Sequence, residues 1–209
     1  MFAAETFEGM FSVIPNRQLL IQSCMKRKFG SHQIRTFREL LYKITFNGDY
    51  DCHAANIEAL REKYSHKIAF LPCSTHYRGF NCVMFALGVE DDVGFRNLVE
   101  RCPEYVHANT AFVDFLIAHG YIQLEHESMV GGLVVYSMRN KIEHIGRSVE
   151  AGRVQSKWGT GLLYEHETLE VPSNYGDDIQ FYTAMKYSKV SKAFFEFARQ
   201  SGVSLVISK

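Results

Sequence analysis

The sequence has no surplus of charge: 23 Lys and Arg residues face 23 Asp and Glu, so the formal net charge is zero. Nothing in that balance points to a chain that neutralises a nucleic-acid backbone. It also lacks any apolar run long enough to cross a bilayer, so neither a nucleic-acid nor a membrane partner is expected. The first ten residues carry Glu5 and Glu8 and have neither the basic start nor the apolar centre of a secretory signal. The cysteines, at 24, 52, 73, 82 and 102, form no C-x-x-C pair and no even disulfide set, which suits a reducing compartment. A cytoplasmic location is the default expectation, with non-classical export or delivery as an effector left open. No glycine-rich phosphate loop, internal repeat or low-complexity linker is present, and no cofactor is expected.

What is present is apolar and aromatic. With 46% hydrophobic residues, including 16 Phe and 11 Tyr, the chain of 209 residues has enough material for one substantial core with decorations. The first seventy residues read as helical. Asn16 to Lys28 and Phe37 to Lys43 place apolar residues three and four apart, and a further helical pattern starts at Asp51 or Cys52. Ile68 to Leu71 suggests a short strand before Pro72, and Thr75 to Phe80 a loop. Helices are expected from Cys82 to about Gly88, from Asp91 to Glu100 and from Thr110 to His119. Strands follow at Tyr121 to Leu124, Leu133 to Met138, His144 to Val149 and Gly152 to Trp158, the last three as a meander with turns at Arg139 to Glu143 and Glu150 to Gly152. After the loop Val171 to Asp177 come a strand at Ile179 to Tyr182, a helix at Lys192 to Gln200 and a last strand at Val203 to Ile207. Helices first and an antiparallel sheet afterwards indicate an α+β domain.

Cys82 stands where Gly79-Phe80-Asn81 turns into an apolar helix. The unpaired N–H groups of a first helical turn favour a thiolate and polarise a carbonyl oxygen, which makes Cys82 the candidate nucleophile. Packing is the simpler account of Cys24 and Cys102. His144 is the candidate base, since a neighbouring imidazole activates a thiol. On its strand it shares a face with Gly146 and Ser148, while Ile145, Arg147 and Val149 take the other. The next strand supplies two candidates to orient the imidazole, Gln155 and Ser156. A tight hairpin would set Gly146 near Ser156, whereas a one-residue slip would bring Gln155 forward. Gln155 ranks slightly ahead because its carbonyl accepts from the imidazole N–H.

His76, Tyr77 and Trp158 are candidate substrate contacts, against the plainer readings of edge packing and hairpin anchoring. No metal site is expected: His119, His126 and His166 define no zinc set, Glu125-His126-Glu127 is unspecific, and Asp177-Asp178 fits a solvated turn. Met25-Lys26-Arg27-Lys28 reads as a solvated helix end.

The order Asn81-Cys82 at a helix start, then Gly131-Gly132-Leu133-Val134-Val135-Tyr136, then His144-Ile145-Gly146-Arg147, resembles the NlpC/P60 and CHAP-like branch of the papain-like cysteine hydrolases over roughly Thr75 to Tyr182. Arg153 to Gly159, with Val171-Pro172 and Tyr175-Gly176-Asp177, looks like a divergent bacterial offshoot of it. The resemblance implies a cysteine-bearing helix packed on an antiparallel sheet in residues 71–209, preceded by a helical extension in 1–70. It also implies a thiol-dependent peptidase or amidase using Cys82 and His144, acting on a peptide, a peptidoglycan fragment or a protein substrate. The same dyad would serve an acyltransferase or a protein glutamine deamidase, and a catalytically inactive interaction module is the alternative outside chemistry.

Overall fold

The computed structural model describes residues 31–46, 50–72, 79–159 and 161–203. Helix α1 (Ser31–Phe46) brings Ile34, Phe37, Leu41 and Ile44 to one stripe, the spacing of an amphipathic helix. Next come α2 (Tyr50–Glu58), which adds Ile57 to the same core, and the single turn α3 (Arg61–Tyr64). Tyr64 and His66 both lie against the Phe37 ring, at centroid separations of 5.0 and 5.4 Å. The helix expected over Asn16 to Lys28 and most of the loop expected over Thr75 to Phe80 lie outside the described residues.

Three further helices each begin at a side-chain cap. In α4 (Cys82–Ala86), α5 (Val93–Glu100) and α6 (Thr110–Ala118), the oxygens of Asn81, Asp92 and Asn109 accept the N–H of Met84, Phe95 and Ala111. Each cap satisfies a donor that the first turn leaves unpaired. The strand expected from Tyr121 shrinks to β2 (Leu124–Glu125) because Tyr121 and Ile122 turn their N–H groups back to the Leu116 carbonyl.

The sheet runs in the order β1 (Ala69–Leu71), β6 (Leu163–Glu167), β5 (Arg153–Lys157), β4 (Lys141–Glu150), β3 (Leu133–Met138), β7 (Asp178–Tyr182) and β2, with every neighbouring pair antiparallel. Its centre is the expected meander of β3, β4 and β5. Arg139 and Asn140, both at positive φ, make a two-residue turn between the first two strands, so β4 starts earlier than His144. An unexpected strand, β6, pairs β5 with the short β1. β7 follows a 3-10 turn at Ser173–Tyr175. The terminal helix α7 (Tyr187–Gln200) starts five residues before the expected Lys192. Of the last expected strand, residues 204–207 lie outside the described residues.

Because side chains alternate across a strand, the sheet divides two cores. Leu133, Val135 and Ile145 face the first, with α4, α5, α6 and α7; Val134, Tyr136, Val154, Tyr164 and Phe181 face the second, with α1, α2 and the segment ending at Tyr175. The architecture is α+β, with helices packed against a seven-stranded antiparallel sheet. Among the described residues no helix is long and apolar enough to cross a membrane.

Candidate active site

Asn81 fixes the start of α4 twice. Its side-chain oxygen takes the Met84 N–H at 3.0 Å and its amide donates to the Ala108 carbonyl at 2.7 Å. At the other end, Arg147 of β4 donates to the Phe85 carbonyl and lies 4.9 Å from the Phe85 ring centre, which ties the cysteine helix to the histidine strand. The five-residue helix that Cys82 opens is therefore held at both ends, with Cys82 at the margin of the first core and partly exposed.

The β4–β5 ladder runs from Arg147 opposite Gln155 to Glu150 opposite Arg153 and does not reach Ile145. At the Cys82 sulfur burial opposes the backbone groups of Ile145, Val83 and Cys82 and the Lys157 ammonium, which favour a thiolate. Burial outweighs these and pushes the thiol pKa up. At neutral pH Cys82 is thus a protonated thiol.

His144 precedes Ile145 and takes the opposite face of β4. It is fully buried, lies 5.7 Å from its cross-strand neighbour Tyr136, and stacks on Tyr175 with centroids 3.8 Å apart and planes 7° from parallel. Its Nε2 has no hydrogen-bond partner. Burial, and secondarily the nearby His166, hold its pKa well below the usual imidazole value, so the ring is neutral and a weak proton acceptor. No described hydrogen bond joins Cys82 to His144.

Of the two possible hairpin registers, the one that sets Gly146 beside Ser156 is found: a Cβ on Gly146 would lie 2.6 Å from Val154 Cγ1 and 2.9 Å from Ser156 Cβ. Gln155 consequently shares the Arg147 face and donates to Glu165 at 3.0 Å. Ser156 faces the second core but is engaged elsewhere. It receives the Trp158 indole N–H at 3.0 Å and bonds His166 Nε2 at 2.8 Å. Since His166 Nδ1 meets the Glu167 carbonyl, which can only accept, Nε2 takes the Ser156 hydroxyl proton. Neither residue expected to orient His144 is hydrogen-bonded to it. Trp158 is fully buried and packs on Tyr164 at 4.4 Å, the anchoring role rather than a groove wall. His76 and Tyr77 lie outside the described residues.

Two residues given no role from sequence belong to this region. Tyr175 stacks on His144, and burial, with the Cys82 sulfur adding to it, pushes its phenol pKa up. Lys157, fully buried, donates to the Gly161 carbonyl at 2.6 Å and sits 5.0 Å from the Phe80 ring centre. Alternation along β5 was enough to put Lys157 on the Arg147 side; nothing local in the sequence announces the stacking of Tyr175. Asp177 pairs with Arg38. Among the described residues no group of three or more His, Cys, Asp or Glu is gathered as a metal ion would require.

No curated protein and no solved structure matches the chain. A family described as a domain of unknown function, DUF7689, matches residues 72–183, which take in Cys82, His144 and Tyr175 but not α1, α2, α3, β1 or α7. Because that match covers more than half of the 209 residues, the chain belongs to the DUF7689 family.

Proposed function

We propose that this chain is a thiol-dependent peptidase or amidase with an NlpC/P60-type or CHAP-like papain-type core, in which Cys82 attacks and His144 carries the proton. The observation that supports the reading most is that the cysteine helix is tied to the histidine strand: Arg147, three residues beyond His144 on β4, donates to the Phe85 carbonyl of α4. The unpartnered Nε2 of the buried His144 ring is the second support.

In the reaction the imidazole takes the Cys82 proton as sulfur bonds to the carbonyl carbon, and the carbonyl electrons move to oxygen. Backbone N–H groups at the start of α4 stabilise that oxyanion. Its collapse breaks the C–N bond, and the leaving amine takes the proton from the imidazolium. Water, deprotonated by His144, then cleaves the thioester, releasing the carboxylic product and returning the thiol. Peptides, peptidoglycan fragments and protein side-chain amides all present the required carbonyl. An amine or alcohol in place of water makes the same dyad an acyltransferase, and attack on glutamine makes it a deamidase.

Because both partners rest in their neutral forms, capture of Cys82 by an acyl trap is expected to accelerate as pH rises above neutrality, with no second inflection near pH 6.5. Wild type should be labelled selectively at Cys82, and Cys82→Ala and His144→Ala should suppress that labelling. Equal modification of all three proteins would reject the dyad. It would favour the interaction module, the reading that the raised thiol pKa and the missing Cys82–His144 hydrogen bond support.

A further inference from the structure

The imidazole of His144 has no hydrogen-bonding orienter among the described contacts, yet its ring is closely confined. Gln155 is spent on Glu165, Ser156 on Trp158 and His166, and Nε2 is unpartnered. What fixes the ring plane is Tyr175, at 3.8 Å and 7°. Tyr175 ends a 3-10 turn of three residues, an element too short to hold itself rigid.

The turn is held from outside. Arg38 of α1 is buried, and its guanidinium spans the segment: Nε donates to the Val171 carbonyl at 3.0 Å, Nη2 to Gly176 at 2.7 Å and Pro172 at 3.4 Å, and Nη1 pairs with Asp177. A planar fork with several fixed donors suits this task in a way that a lysine ammonium does not. From the other side, Gly176 at φ 92 lies so close to the Ser137 carbonyl that a Cβ there would collide with it. Arg38 and Ser137 thus grip the residues flanking Tyr175, one from the helical layer and one from the sheet.

We propose that Tyr175 is the positioning residue for His144, holding the imidazole by ring stacking in place of a polar third member, and that Arg38 of the N-terminal helix holds Tyr175. This deepens the dyad reading and rests on it. It also gives α1, which precedes the family match at residue 72, a part in the site: the helix brings no group to the reacting atoms and acts through the turn it clamps.

The test uses the full chain and two readouts, the ring-proton resonances of His144, which the Tyr175 ring current displaces, and the rate of acyl-trap capture at Cys82. Tyr175→Phe keeps the aromatic face and is expected to keep both. Tyr175→Leu and Arg38→Gln are expected to lose the displacement and to slow capture between about tenfold and a hundredfold, the penalty of a misplaced base. Should Arg38→Gln fail to fold, Asp177→Asn removes one anchor of the same clamp at an exposed side chain and is expected to shift the His144 resonances in the same direction. A capture rate unchanged in folded Tyr175→Leu, or His144 resonances unmoved in the clamp variants, which keep the Tyr175 ring, would overturn the positioning role alone. Capture indifferent to His144→Ala would overturn the dyad instead, so the two failures are distinguishable.

Discussion

Acidification from pH 7.5 to pH 5 should destabilise this protein through buried histidines whose cationic form the folded state disfavours. His166 is fully buried, with Nδ1 committed to the Glu167 carbonyl and Nε2 to the Ser156 hydroxyl, whose oxygen already receives the Trp158 indole N–H. Burial lowers its pKa from 6.5 to about 4. A pKa depressed in the folded state means that the unfolded chain takes up the proton first. Stability is therefore complete above about pH 6.5 and falls as the pH drops toward 4. Between the two pH values the loss from His166 alone is about 2 kcal/mol, which for a chain of this size lowers the melting temperature by roughly 4–8 °C. His144, buried and shifted in the same direction, adds to it. Urea unfolding at half-unit pH intervals measures the slope. His166→Gln, which keeps an acceptor for Ser156 but does not titrate, should flatten it over this window. A wild-type stability independent of pH, or an equally steep slope in His166→Gln, would refute the argument.

Two substitutions test the scaffold of the site. Asn81→Ala removes the cap on Met84 and the bond to Ala108, and a loss of about 1–2 kcal/mol is expected by denaturant titration, together with faster alkylation of Cys82 as the helix start loosens. Gly146→Ala forces a methyl group against Val154, Ser156 and the Gln155 carbonyl at 2.6–2.9 Å. It should cost about 1–3 kcal/mol, and a variant as stable as wild type would show that β4 and β5 yield more easily than their spacing suggests.

Much of this arrangement follows from short-range pattern. The alternation through His144 to Val149 separates Ile145 and Arg147 from His144, Gly146 and Ser148, and that division is the one between the two cores. The caps Asn81, Asp92 and Asn109 stand directly before their helices. β6 was illegible because one of its two inward residues is polar: Tyr164 and His166 are buried, alternating with Glu165 and Glu167, a two-residue period that apolar content alone does not show. The partners of Ser156 and Gln155 were hidden for the same reason: both lie on β6. Tyr175 is harder still. Its placement depends on Arg38, more than 130 residues earlier, and on a close approach to Ser137 that no local spacing encodes.

Among the described residues the sheet ends on β1 at one border and β2 at the other, strands of three and two residues. A foreign strand seeking a ladder would find few amides in register at either rim, although Phe70 and Leu124 leave apolar surface exposed there. Brevity at the margins therefore guards a broad sheet against polymerising through its own hydrogen bonds, and leaves its long central strands free to be shaped by chemistry rather than by solubility.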